Sequence, residues 1–126
     1  MLRESPLFAY FPAKNLDRAR RFYEETLGLV PKSLNNDDVT YEFASGTAAF
    51  LYLTDNAGTS KASQAFWSVK DVDREIVELK KRGVVFERYD DMPGERSPEG
   101  AVIAGGAKAA WFKDSEGNIL AIVQSL

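Results

Sequence analysis

Two segments of the chain repeat one pattern. Lys14-Asn15-Leu16-Asp17-Arg18 opens a helical stretch that stops at Gly28, and Lys70-Asp71-Val72-Asp73-Arg74 opens another that stops at Gly83. A short aromatic-rich, β-like run precedes each helix, and β-rich sequence follows each. In a chain of 126 residues, half-domains of this size are too small to bury separate cores well. The repeat therefore predicts one domain, residues 1–126, built from modules 1–56 and 62–126 joined by a short connector near 54–61.

Each module reads β-α-β-β-β. In the first, Leu7 to Phe11 is a strand bounded by Pro12. Asn15 caps a helix that carries Leu16, Ala19, Tyr23 and Leu27 at helical spacing, and Gly28 ends it. Strands follow at Leu29 to Ser33, Val39 to Ala44 and Ala48 to Leu53, with the Asn35-Asn36-Asp37-Asp38 turn between the first two. The second module places strands at Gln64 to Val69, Val84 to Tyr89, Lys108 to Lys113 and Asn118 to Gln124. Asp71 caps its helix, which presents Val72, Ile76 and Leu79 on one face. Asp73 and Glu75 sit in the first turn and Lys80-Lys81-Arg82 in the last, which suits the helix dipole at both ends. Asp90 to Gly106 reads as a long irregular loop. The fold class is α+β: two βαβββ modules forming a curved, mixed, eight-stranded sheet, with helices outside and a concave cavity inside. That cavity is the natural place for a binding site.

Composition removes several kinds of chemistry. There is no histidine and no cysteine. Disulfides, thiolate ligands and a cysteine nucleophile are excluded, along with the commonest metal ligand and neutral-pH proton carrier. The net charge is −3, with no basic stripe to neutralise phosphates, so nucleic acid is not expected as a partner. No apolar run approaches membrane-spanning length and the first residues lack an apolar signal core, so no membrane association and a cytoplasmic location are expected.

Three stretches resemble the vicinal oxygen chelate superfamily, also called the glyoxalase/bleomycin-resistance/dioxygenase superfamily. They are Lys14 to Ala19 with Phe22-Tyr23 and Leu27-Gly28-Leu29; Val69 to Arg74 with Leu79 and Arg82-Gly83-Val84; and Trp111-Phe112-Lys113-Asp114-Ser115-Glu116-Gly117-Asn118-Ile119-Leu120. The resemblance spans nearly the whole chain. It implies the fold given above and four positions on the concave face where metal-using members place ligands. Those positions fall here on Phe8, Phe50, Gln64 and Ala121. Two Phe, one Ala and one Gln do not supply the three or more N or O donors a divalent ion needs. The expectation is thus no metal and no cofactor.

Strand alternation carries the concave-face reading further. If Phe8 and Gln64 face the cavity, so do Tyr10 and Phe66, and in the later strands Phe50, Tyr52 and Trp111. The expected ligand-binding set is Phe8, Tyr10, Phe50, Tyr52, Gln64, Phe66, Trp111 and Glu42. Trp67 is assigned to the core. Aromatic walls suit flat or cationic organic ligands, at roughly 0.5–2 kcal/mol per contact. Core packing is the competing reading for each ring, because strands favour aromatics intrinsically. Glu42 reads either as a desolvated cavity acid or as the exposed face of an edge strand, the commoner situation. Lys108 and Lys113 flank Trp111, and either could meet an anion or simply be solvated. The Asp114 to Asn118 segment reads as turn chemistry.

Three functions follow in order. The first is a metal-free protein that binds a small organic molecule; the resemblance to drug-binding resistance proteins implies a homodimer and often a cationic ligand. The second is a glyoxalase-like enzyme of lyase, isomerase or dioxygenase type, with an atypical site using Gln64 and Glu42. The third is a structural or regulatory module whose cavity is filled. Catalytic residues are not assigned.

Overall fold

The computed structural model describes all 126 residues. They group into two compact units, Met1–Thr59 with Ser115–Asn118, and Ser60–Asp114 with Ile119–Leu126. The class is α+β, with the strands divided between two mixed sheets.

In the first unit, β1 (Ala9–Ala13), β2 (Pro31–Leu34), β3 (Asp38–Glu42) and β4 (Ala48–Leu53) form a sheet in the order β1-β4-β3-β2. β1 runs parallel to β4; the other pairs are antiparallel. α1 (Leu16–Arg21) starts where Asn15 accepts the Arg18 N–H, as the capping pattern predicts. The helix continues to Thr26 as a π-helical segment, Phe22–Thr26. Alternation sorts the strands as expected: Phe11, Val39, Tyr41 and Leu51 are buried together with Ala19 and Tyr23. Tyr23 stacks on Phe11 at 5.0 Å. The buried Tyr41 hydroxyl donates to Glu24 at 2.9 Å, and Arg20 grips the same carboxylate from one turn away. Arg20 holds Glu24 below the usual carboxylate range, whereas burial and then Glu24 push the Tyr41 phenol up.

In the second unit, β5 (Ala65–Ser68), β6 (Glu95–Arg96), β7 (Val102–Ala104), β8 (Ala107–Lys113) and β9 (Ile119–Ser125) are ordered β5-β9-β8-β7-β6. α2 (Val72–Lys81) is capped by Asp71 and packs Val72 and Ile76 in the core beside β8 and β9. Trp67 is only partly buried, but stacks on the buried Phe112 with centroids 6.3 Å apart.

Two sequence expectations change here. Val84 to Tyr89 is not a strand. It makes one bridge, Phe86 to Phe112, and one ladder-like hydrogen bond, from the Glu87 N–H to the Trp111 carbonyl. The hairpin β6–β7 instead takes the other end of β8's free edge, pairing Val102 with Ala109 and Ala104 with Ala107. The segment expected to be an irregular loop thus contributes two strands, for nine in all. That loop is also anchored. Arg96 donates to the carbonyls of Tyr89, Met92 and Gly94 at 2.8–2.9 Å. Asp73 accepts the Ser97 hydroxyl and, at 3.0 Å, the Lys108 ammonium. Burial would raise Asp73, but these bonds outweigh it and keep the carboxyl below its ordinary value. No helix is long and apolar enough to cross a membrane.

Candidate functional site

The face of the first unit's sheet opposite its core is aromatic. Because alternate residues share a face, Tyr10 of β1 and Phe8 just before that strand lie there, and β4 presents Phe50 and Tyr52. The rings form a connected row. Phe8 meets Phe50 edge to face at 6.0 Å, Tyr10 lies 6.2 Å from Phe50, and Tyr10 meets Tyr52 edge to face at 4.9 Å. Contact has not removed them from solvent: Phe8 is 42% and Tyr10 67% exposed. Apolar rings at that exposure leave hydrophobic free energy ungained, roughly 25 cal/mol per Å².

Register places two carboxylates on the same face. Asp38 lies opposite Tyr52, Thr40 opposite Phe50, and Glu42 opposite Ala48. Asp38 accepts from the Asn35 side chain. Glu42 is half exposed and ion-paired with Lys32. That is the setting of a solvated surface pair rather than of a desolvated acid. The face offers aromatic area with acidic oxygens along one side, a surface suited to a flat molecule with positive character.

The remaining expected site residues lie in the second unit. Phe66 is 62% exposed. It and Trp111 both pair with Ala121, so all three share one face of that sheet. Trp111 meets Tyr89 edge to face at 5.6 Å. Gln64 precedes β5, and its backbone N–H bonds the Ile119 carbonyl. Of the four positions where a metal ligand would be expected, Phe8 and Phe50 are carbon-only rings in contact, and Ala121 is buried and bears only a methyl group. No three Asp or Glu side chains converge anywhere in the structure. The donor set does not fit a divalent ion.

One residue that the sequence reading treated as turn chemistry has a larger role. The Glu116 side chain is wholly buried, with Arg18 bound to it in a two-pronged pair at 2.7 and 2.9 Å. It also accepts the backbone N–H groups of Lys14 and Asn15 and the Ser115 hydroxyl. Burial alone would raise its pKa; Arg18, the Asn15 N–H and Ser115 outweigh that and hold it at about 2. Its neighbour Asn118 accepts the Gly58 N–H and donates to the Pro12 carbonyl. Together they fix the end of β1, the start of α1 and the connector, setting where the aromatic row sits. The bonds from Arg18 to Glu116 span 98 positions of sequence, so no local pattern announces them.

No family model matches the sequence, and no curated protein matches it. Solved structures do. A glyoxalase/bleomycin resistance protein/dioxygenase from Alicyclobacillus acidocaldarius superposes with a TM-score of 0.73 at 22% identity, over 98% of this chain and 92% of that one. A glyoxalase family protein from Enterococcus faecalis gives 0.71 at 18% identity, over 98% and 99%. The chain has the glyoxalase/bleomycin-resistance/dioxygenase fold. The fosfomycin resistance protein FosX from Mesorhizobium loti is similar at 0.64 and 11% identity, covering 98% and 93%. The superfamily resemblance carried by the three sequence motifs therefore holds at the level of fold. A glyoxalase-type fold hosts many chemistries, so the site decides function.

Proposed function

We propose that this glyoxalase-type chain is a metal-free, cytoplasmic small-molecule binding protein that works as a homodimer. It holds a flat aromatic ligand, cationic where charged, against Phe8, Tyr10, Phe50 and Tyr52. The observation that carries the reading is the exposed aromatic row, in a fold whose expected metal-ligand positions hold no suitable donor set. A filled cavity would bury Phe8 and Tyr10; their exposure favours a surface that awaits an occupant. Asp38 on the same face, which carries no ion pair, favours a cation over an anion. Phe66 and Trp111 share a strand face with Ala121 within the second unit. The enzyme alternative through Gln64 and Glu42 gains less support, since Glu42 already pairs with Lys32.

Native mass spectrometry of protein purified without chelator tests the reading in one experiment. The expected spectrum shows a dimer with no stoichiometric metal. Adduct peaks should appear on adding bleomycin-like, mitomycin-like or other flat aromatic compounds. One tightly held metal per chain, or no adduct with any of these compounds, would contradict it.

A further inference from the structure

A second concavity lies wholly within the second unit. Two segments approach one edge of β8 end to end: β7 pairs as far as Ala109, and the 84–90 segment bonds at Trp111. Between them, at Ala110, neither continues, and the chain before β7 turns through a bond from the Ser97 N–H to the Ala101 carbonyl. The result is a cleft of about 760 Å³ lined along this edge of β8 by Ala109, Ala110 and Trp111, and also by Ile76, Phe86 and Val102. That volume is in the range of small-molecule sites, roughly 300–1,000 Å³. The small alanine side chains leave room at this edge, and the Tyr89–Trp111 ring pair gives the cleft an aromatic side.

The charges at its mouth are not equivalent. Arg88 pairs with Asp90, and Glu87 with Lys113. Arg96 bonds only backbone carbonyls, which leaves its charge without a carboxylate partner, and Lys80 makes no ion pair. Glu99 is the one acid at the mouth without a cation partner. Two unneutralised cations face one unneutralised acid beside this apolar edge. We infer that this cleft is a second ligand site, distinct from the aromatic row, that takes a small planar aromatic carboxylate. The ring lies in the gap beside Ala110 and the carboxylate reaches Lys80 and Arg96.

Protein-observed NMR with 2-naphthoate as probe tests this. The expected shifts fall on the Val84 to Asp90 amides, Gly100 and the Trp111 indole. Lys80→Glu, an exposed change that leaves the core intact, should weaken binding about fivefold, the scale of an exposed ion pair. Ala109→Phe should fill the cleft and remove the shifts, and 2-naphthylmethylamine should bind more weakly than the acid. Tyr10→Ala should leave naphthoate binding unchanged, which separates this site from the aromatic row. Shifts centred on Phe8, Tyr10, Phe50 and Tyr52, indifference to Lys80→Glu, or no shifts at millimolar probe would overturn the inference.

Discussion

Glu116 shows how one side chain can carry a disproportionate share of a fold. Its folded pKa of about 2 lies below the ordinary 4.5. The stabilisation is therefore complete above about pH 4.5, declines as pH falls, and is gone below about 2. The shift corresponds to on the order of 3 kcal/mol, an upper bound because Arg18 is 47% exposed. Acid titration of unfolding free energy should show this loss in wild type and a flatter profile in Glu116→Gln, which should also be about 2–4 kcal/mol less stable at pH 7. Equal slopes in the two proteins would show that another group carries the acid sensitivity. Residues such as Asn15, Asp71 and Gly28 were readable because caps and stops are local chemistry. Glu116 was not, because all but one of its partners lie about a hundred positions away.

At the scale of elements, most strands and both helices follow from periodicity, since alternation and helical spacing each depend on a few neighbours. Val84 to Tyr89 has a strand's composition, but its place is decided by competition for the edge of β8, which only tertiary pairing reveals. The connector is similarly set from a distance. Gly58 has φ +74°, and a Cβ there would lie 2.2 Å from the Glu116 carbonyl oxygen. Gly58→Ala should cost about 3 kcal/mol in chemical denaturation, and a loss within about 0.5 kcal/mol would show that the connector is free to move away. Arg96 does comparable work in the 89–96 loop through its three short carbonyl bonds. Arg96→Ala should speed amide hydrogen exchange over residues 89–95 about tenfold while leaving β4 unchanged. Unaltered exchange would mean the loop is held by its turns alone.

At the scale of the molecule, the sequence repeat is realised as two sheets, each with a helix packed in the core beneath it. The duplication predicted the architecture well, because doubling a module doubles its hydrophobic pattern. It predicted the surroundings of the site less well, because exposure depends on what covers a face. The superfamily resemblance points to Phe8 and Phe50, alternation from them to Tyr10 and Tyr52, and the structure joins the four in one row. Phe66 and Trp111 share a face in the other unit, where Trp111 also borders the second cleft. The aromatic row is proposed to bind a flat organic cation without metal. The most direct measurement is isothermal titration of such a compound into wild type and Tyr10→Ala, each with and without excess chelator. Saturable binding is expected in wild type, unchanged by chelator and weakened about tenfold in Tyr10→Ala, the scale of one lost aromatic contact. Binding that vanishes with chelator, or that ignores Tyr10→Ala, would contradict the claim.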